Sequence, residues 1–285
     1  MRSGRCRTIL ITVLLFCCGS LPRSVLAVDS TPPQTRIVAG YRIDLDNFNL
    51  GSFRFKTTLN GSDYRVQGAG HFSVLGGLLY DLRTTTASSG KITSAGPEPA
   101  TYVLSYAGGG DVGQLRMSFD AGSVTSLSIS PPKPRDPHEI PITKEQLVGA
   151  LDPIAAAFFR AHSGDPDGDL KICEQTVPVF DGGWRYDLEL APKGKVPLRK
   201  GASTAFSSYA VVCRVKFRPI SGYASDDPNI KLMSHTDAIE VWLVPLSGTE
   251  MYVPYRLLLP TESGLLSAIS TSLRVEGNWR ASAQP

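Results

Sequence analysis

Cys173 and Cys213 are the two residues of this chain best suited to forming a covalent bond. They have neither the CxxC spacing of a redox motif nor a histidine partner, and in an oxidising compartment such a pair usually forms a structural disulfide. The bridge would close a loop of about 40 residues, for which chain entropy gives roughly 4 kcal/mol of stabilisation. A nucleophilic or metal-binding role is the alternative, although no neighbouring histidines or lysines would hold a thiolate.

The other three cysteines lie in an N-terminal segment with the pattern of a secretory leader; they are Cys6, Cys17 and Cys18. Arginines without any acidic neighbour precede the apolar run of residues 8–18, and Val25 and Ala27 are small residues where signal peptidase reads them. The run is too short for a membrane-spanning helix, which needs roughly 20 apolar residues. We predict a signal peptide over residues 1–27 and a periplasmic location, with an uncleaved anchor as the alternative.

Charge argues against a polyanionic partner. Residues 28–285 contain 25 basic and 26 acidic side chains, because four arginines and no acid belong to the leader. Proteins that bind nucleic acid or anionic membranes carry a basic surface, which this balance does not provide. We therefore expect no nucleic-acid partner and, after cleavage of the leader, no transmembrane segment.

Two short motifs have the spacing of ligand sites in an unsuitable context. Residues 108–113 match G-x-G-x-x-G, but an alternating, strand-like run follows where a dinucleotide site needs a helix, so we predict a hairpin turn. Residues 165–169 resemble the start of a calcium loop, but Leu170 and Thr176 occupy the positions where an EF-hand has Gly and Glu. A solvated loop is expected there, with a loose Ca²⁺ site as the alternative.

The remaining residues that could do chemistry form no recognisable set. The acids are unpaired by any motif, and the nucleophile elbow, the zinc-protease motif and the phosphate-binding loop are all missing from the sequence. The histidines lack metal-ligand spacing; they are His71, His138, His162 and His235. We assign no catalytic, metal-binding or cofactor-binding residue and expect a protein that is not an enzyme.

Residues 36–130 alternate between apolar and polar side chains with the period of β-strands. Breaks every eight to twelve residues divide this half into about seven antiparallel strands, and Asn60-Gly61 is the strongest hairpin signal. The other breaks are Gly76-Gly77, Ser89-Gly90, Gly108 to Gly110 and Asp120-Ala121-Gly122. Residues 172–280 alternate in the same way, with six strands and a tight hairpin at residues 181–183.

Between these halves, residues 131–161 have a different character. Five prolines in residues 131–141 predict an extended crossover. Thr143 and Gln146 form a capping box, and helical spacing of apolar residues follows, interrupted at Asp152-Pro153, where Asp152 is expected to cap a second short helix. The predicted fold is therefore one mainly β domain over residues 28–285, a strongly curved antiparallel sheet (half-barrel or spiral) wrapped around a central helix at residues 143–161.

Several large apolar side chains could line a ligand cavity inside such a sheet, or could equally form its core. They are Phe72, Leu75, Leu78, Leu79, Trp184 and Trp242.

Three stretches carry a resemblance to a known family. They are Cys173 with Val177-Pro178-Val179-Phe180-Asp181-Gly182 and Tyr186-Asp187-Leu188, Cys213-Arg214-Val215 with Pro219-Ile220-Ser221-Gly222-Tyr223, and Leu151-Asp152-Pro153. Together they resemble the proteobacterial exported proteins grouped as domain of unknown function 3108, over nearly all of the chain after the leader. The resemblance implies an envelope protein with an antiparallel β fold and both cysteines at the family's positions. It implies no catalytic residue.

Three hypotheses of different kinds follow. We expect a non-enzymatic periplasmic protein that supports the cell envelope, by binding a lipid or another apolar ligand; curved sheets of the lipoprotein-carrier type hold acyl chains in this way, although that is a likeness of architecture alone. The alternatives are a scaffold that binds a protein partner through a sheet edge or the crossover, and a polysaccharide or cell-wall hydrolase that uses acids such as Asp181 or Asp187. An open apolar concave face favours ligand binding, and a filled one favours the scaffold.

Overall fold

Antiparallel strands make up most of the chain that the computed structural model describes, which is residues 34–74, 77, 80–132, 136–160, 170–198, 207–246, 249 and 251–276. All of these belong to one unit, Pro32–Pro285. The strands of the first half are β1 Thr35–Leu45, β2 Phe48–Asn60, β3 Asp63–Val74, β4 Tyr80–Thr93, β5 Gly96–Gly108, β6 Asp111–Asp120 and β7 Ser123–Ser130. Those of the second half are β8 Phe159–Arg160, β9 Thr176–Phe180, β10 Arg185–Pro197, β11 Tyr209–Ser221, β12 Glu240–Pro245, β13 Met251–Thr261 and β14 Gly264–Glu276, with one α-helix, α1 Pro228–His235.

The strands form one sheet in which the two halves of the chain are joined through their outermost strands. The order is β7-β6-β5-β4-β3-β2-β1-β14-β13-β12-β11-β10-β9, and the two-residue strand β8 pairs beside β13. Each half is a meander of neighbouring hairpins, and β1 and β14 pair antiparallel in the middle. Within the described residues β7 and β9 are the sheet's edges, so the sheet is not closed.

The strand pattern predicted from the sequence is confirmed in both halves, with seven strands before residue 131 and six main strands after residue 172. The predicted turns at Asn60-Gly61 and at residues 108–110 join β2 to β3 and β5 to β6. Ser89-Gly90, in contrast, is a bulge inside β4 and not a turn. A Cβ at Gly90 would lie 2.2 Å from the carbonyl oxygen of Glu98 on β5, so glycine permits a close approach of two backbones there.

The helix predicted over residues 143–161 is wrong in the part that the structure describes. Residues 142–160, named here the central segment, contain two short 3₁₀ turns, Glu145–Leu147 and Ala155–Ala157, the two-residue strand β8, and otherwise irregular backbone. One of the two bonds of the predicted capping box is present, since Gln146 Oε1 accepts a hydrogen bond from Thr143 N. Asp152 Oδ1 accepts from the N–H groups of Ile154 and Ala155, as predicted for a cap. Asp152 therefore caps only a 3₁₀ turn, and no α-helix follows it.

The central segment instead bonds to both edges of the sheet. Gly149 N donates to Gly122 O beside β7, while Leu151 N donates to Pro178 O and Leu151 O accepts from Phe180 N on β9. These main-chain bonds replace the intrahelical ones and hold the segment extended across the opening between the two edge strands.

Three apolar clusters lie on the concave side, and the central segment contributes to each. Ala156 and Phe159 pack with β9 to β13, and Ala155 with β1 to β4 and with β14. Ala150 packs with residues of β5, β6 and β9, which lie near opposite ends of the strand order, so the sheet is strongly curved. Because the segment is buried on several sides at once, its apolar residues do not form the single stripe of an amphipathic helix.

The one α-helix among the described residues, α1, was not expected from the sequence. It begins after Asp227, whose carboxylate accepts hydrogen bonds from Asn229 N and Ile230 N, and Pro228 occupies its first turn. Ile230 is the one buried side chain of this helix, so its apolar pattern is too weak to stand out.

The structure contains the predicted disulfide between Cys173 and Cys213, with a Cα–Cα distance of 5.3 Å. Cys173 ends a 3₁₀ turn, Leu170–Cys173, that precedes β9, and Cys213 lies in β11. The bridge thus fixes the start of the second meander to one of its central strands. The predicted leader, residues 1–27, lies outside the described residues.

Candidate functional site

An apolar cavity of about 290 Å³, named here the first cavity, lies between the central segment and strands β1, β2, β13 and β14. Thr57 and Tyr41 contribute the only polar side-chain atoms among the described residues that line it, and the rest of the lining is hydrocarbon. Ile154 and Phe158 of the central segment form the wall opposite the sheet. The central segment therefore leaves part of the concave face unfilled.

Aromatic rings line the sheet side of the first cavity. The rings of Phe53 and Phe55 stack with centroids 4.6 Å apart, and Tyr41 meets Phe55 edge-on at 5.9 Å. These rings lie over β3, where Gly68 and Gly70 have no side chains: a Cβ there would lie 2.6 and 2.5 Å from Phe53. Glycine on β3 thus makes room for the phenylalanines of β2.

The Tyr41 hydroxyl donates a hydrogen bond of 2.7 Å to the carbonyl oxygen of Pro254 on β13. On this side of β13, β8 pairs with Met251 and Tyr252, and β14 pairs from Arg256 onward. Val253 and Pro254 fall between these two pairings, and the tyrosine hydroxyl donates to the Pro254 carbonyl where a ladder N–H would otherwise do so. Burial raises the pKa of Tyr41 above its usual range, which keeps the hydroxyl protonated as a donor.

A second apolar cavity of about 360 Å³, named here the second cavity, lies on the other side of the central segment. Trp184, in the turn before β10, lines it together with Tyr186 of β10 and Phe217 of β11. Met233 lines it from α1. Burial raises the pKa of Tyr186, and the nearby Asp181 carboxylate raises it further, so this phenol is neutral. Asp181 is the one charged side chain among the described lining residues.

The two cavities share a wall of three residues: Ala157 of the central segment and Pro254 and Leu257 of β13. Leu257 is 38% exposed, so the wall ends at solvent. One irregular segment and one strand thus separate two apolar spaces of similar size.

A buried carboxylate anchors the central segment to the sheet. Asp152 is 0% exposed, and Ser88 Oγ on β4 donates to its Oδ2 at 2.9 Å. The Tyr64 hydroxyl on β3 lies 3.2 Å from Ser88 Oγ and extends the network. Burial raises the pKa of Asp152 to about 6, against the hydrogen bonds from Ala155, Ser88 and Ile154, which lower it.

The residues singled out in the sequence as possible cavity lining are placed in different surroundings. Trp184 lines the second cavity. Phe72 packs against Phe53, at 6.4 Å between ring centroids, beside the first cavity. Trp242 lines neither cavity: the preceding residue, Val241, faces the second cavity, while the Trp242 ring lies against Arg256 at 5.2 Å. Leu75, Leu78 and Leu79 lie outside the described residues.

The acids proposed for a hydrolase have structural contacts. Asp181 Oδ1 accepts hydrogen bonds from the N–H groups of Gly183 and Trp184 and closes the β9–β10 turn. Asp187 pairs with Arg185. Within the residues described, no group of three or more His, Cys, Asp or Glu side chains is arranged to hold a metal ion. His162 and the acidic loop at residues 165–169 fall outside that range.

The chain matches the family described as DUF3108, protein of unknown function, over residues 40–268. It belongs to this family. No curated protein matches the sequence. A solved β-barrel-like protein of domain of unknown function DUF1849 from Brucella abortus is similar at 8% identity, with a TM-score of 0.47, over 85% of this chain and 98% of that chain. As for membranes, the described part of this DUF3108 protein contains no helix with the length and apolar character to cross one.

Proposed function

We propose that this DUF3108 protein is a non-enzymatic protein of the bacterial cell envelope that binds a lipid or another apolar ligand and so supports the envelope. The observation that carries the proposal is the first cavity, whose lining is almost entirely hydrocarbon and which the central segment leaves open. Its volume of about 290 Å³ is close to the lower end of the range for small-molecule pockets, roughly 300–1,000 Å³.

The lining predicts how affinity depends on the ligand. Each CH₂ group removed from water contributes about 0.8 kcal/mol, so affinity is expected to rise with chain length. The described lining contains no charged side chain, so salt is expected to have little effect on binding. A ligand held by its charged group would show the opposite behaviour.

Binding is tested with protein extracted from the periplasm and with oleate as the added probe. We expect native mass spectrometry to find bound lipid, and oleate to bind the delipidated protein. Ala268→Phe places a ring in the first cavity from β14 and is expected to weaken oleate binding by about tenfold or more. Ala69→Phe, the same change at an exposed position of β3, is the matched control. Protein free of lipid, with equal oleate titrations for both variants, would overturn the proposal.

The envelope location is supported by the predicted leader and by the disulfide, since disulfides persist in oxidising compartments. The test is fractionation of cells that express the full chain, followed by N-terminal sequencing. We expect a periplasmic product that begins at Val28. A cytoplasmic product that retains residues 1–27 would contradict this part of the proposal.

A second candidate function is a scaffold that accepts an extended segment of another envelope protein as an added strand. The observation that favours it is the edge strand β7, where Leu127 is 43% exposed and the outer side of residues 125–130 has no strand partner among the described residues. Exposed edges of this kind can pair with a further strand. A photo-crosslinker at Leu127 is then expected to capture one partner repeatedly in cells, while a crosslinker at exposed Leu265 captures none.

A further inference from the structure

The two cavities are close neighbours along the central segment. Ile154 and Phe158 line the first cavity, whereas Pro153, Ala156 and Phe159 line the second. Ala157 contacts both. Because an alanine side chain is a single methyl group, the wall is thin on this side.

The other side of the wall is β13, which contributes Pro254 and Leu257. Pro254 has no N–H group to donate, and its carbonyl is satisfied by Tyr41. Leu257, three residues after Pro254 on β13, lines both cavities and is also 38% exposed. Of the three residues that line both cavities, Leu257 is the exposed one.

Neither lining offers a site for a charged headgroup. Among the described lining residues neither cavity has a lysine or arginine, and the second has a single carboxylate, Asp181. A phosphate or carboxylate headgroup would lose its hydration inside either cavity without gaining a partner, which is unfavourable. An ionic headgroup therefore belongs outside, near Leu257.

We propose that the two cavities form one bipartite site for a lipid with two acyl chains, with one chain on each side of the wall and the headgroup in solvent beside Leu257. This inference rests on the proposed function and specifies its ligand class. Two apolar spaces of similar size that share one exposed lining residue match the shape of a two-chain lipid, and the lack of basic lining residues leaves the headgroup without a partner inside the site.

The test compares a one-chain and a two-chain probe, oleate and dioleoylphosphatidylglycerol, on the protein without its leader. Ala268→Phe fills the first cavity, and Leu259→Trp fills the second; Ala69→Phe and Leu127→Trp, both at exposed positions, are the matched controls. We expect one molecule of the two-chain lipid per chain, and a loss of about tenfold or more in its affinity with either filling variant. Oleate is expected to bind two per chain in the wild type and one in each filling variant.

The two proposals fail in different ways. If only one filling variant weakens the two-chain lipid, or if oleate occupies one cavity alone, the bipartite site is wrong while ligand binding stands. If neither probe binds the wild type, both proposals are wrong. Circular dichroism checks that each variant is folded, and Val253→Phe and Met233→Trp replace the filling variants if one of them is not.

Discussion

The hydroxyl of Ser88 donates a hydrogen bond of 2.9 Å to the carboxylate of Asp152, which lies 64 residues further along the chain. This contact joins β4 to the central segment inside an apolar interior, and the same carboxylate accepts the first N–H groups of the following 3₁₀ turn. A buried polar group is costly unless it is hydrogen-bonded, so the contact selects one position of the segment over others. The position of the wall between the two cavities depends on it.

Asp152→Asn is expected to change how stability depends on pH. Burial raises the pKa of Asp152 from 3.8 to about 6, so between these values the folded chain binds a proton that the unfolded chain has released. The free energy of unfolding of the wild type therefore falls as pH rises from about 4 to about 6, and it stays at the lower value above that range. Because asparagine does not titrate, we expect the variant to gain up to about 3 kcal/mol relative to the wild type between pH 4 and pH 7. Urea unfolding across this range measures the difference.

Two further variants control this experiment. Ser88→Ala removes a hydrogen bond that lowers the pKa of Asp152, so the loss of stability is expected to extend to higher pH. Asp63→Asn makes the same change at an exposed aspartate of β3 and is the matched control for the substitution itself. A constant difference between the wild type and Asp152→Asn at every pH would contradict the prediction.

Loss of the disulfide is expected to lower thermal stability. The Cys173–Cys213 bridge closes a loop with a sequence separation of 40 residues, and both cysteines are 0% exposed. The double variant Cys173→Ala/Cys213→Ala is expected to lose about 2–4 kcal/mol of unfolding free energy. Calorimetry should then show a fall in Tm of roughly 5–15 °C.

The control for the disulfide is the wild type reduced after unfolding and then refolded in reductant. This form keeps both sulfur atoms, so it lacks the small cavities that the alanine substitutions leave. It should melt near the double variant. Reductant added to the native protein is expected to act slowly, since buried sulfur atoms are not accessible to a thiolate. An unchanged Tm in both reduced forms would show that the bridge does not stabilise the fold.

Gly70→Ala is expected to disturb both stability and the first cavity. The added Cβ would lie 2.5 Å from a carbon of the Phe53 ring, so the ring must move toward the cavity. Overpacking of this kind costs about 1–3 kcal/mol, and oleate affinity should fall as well. Gly183→Ala is the matched control, because its Cβ would make an ordinary contact, 3.6 Å from Asp181. Equal losses in the two variants would argue against the role of Gly70.

Much of the sheet could be predicted because strand signals are local. Alternating side chains and turn residues such as Asn60-Gly61 depend only on their neighbours in sequence, and these predictions were confirmed. The central segment was different, because its apolar residues have the spacing of a helix. Its main-chain groups at Gly149 and Leu151 instead bond to the edges of the sheet, Leu151 with Pro178 and Phe180 of β9. Those partners are distant in sequence, so no local pattern could show that they would replace a helix.

Two of the four Asp-Pro pairs in the sequence show the same limit. Asp152-Pro153 and Asp227-Pro228 both cap turns of helical type, but only the second continues into an α-helix. The cap signal was recognised at the first pair and overlooked at the second, because apolar spacing follows only the first. Burial on several sides supplies that spacing without a helix, and an exposed helix forms without it.

The candidate site was only partly predictable for a related reason. Tyr41, Phe53 and Phe55 were visible as strand residues, but a cavity depends on what is missing opposite them, here the side chains of Gly68 and Gly70. Trp184 and Trp242 were equally plausible in the sequence because both lie close to strands. Which one faces a cavity depends on strand register, which tertiary pairing decides.

The pairing of β1 with β14 has a consequence for the order in which the molecule folds. Each meander forms from contacts that are close in sequence, but β1 and β14 can meet only after a loop of more than 200 residues is closed, which is entropically costly and slow. The bond between Tyr41 and Pro254, 213 residues apart, can form only at that stage. The lining of the first cavity comes from both halves, so a chain with two folded meanders would still lack this cavity and would expose its apolar residues to water.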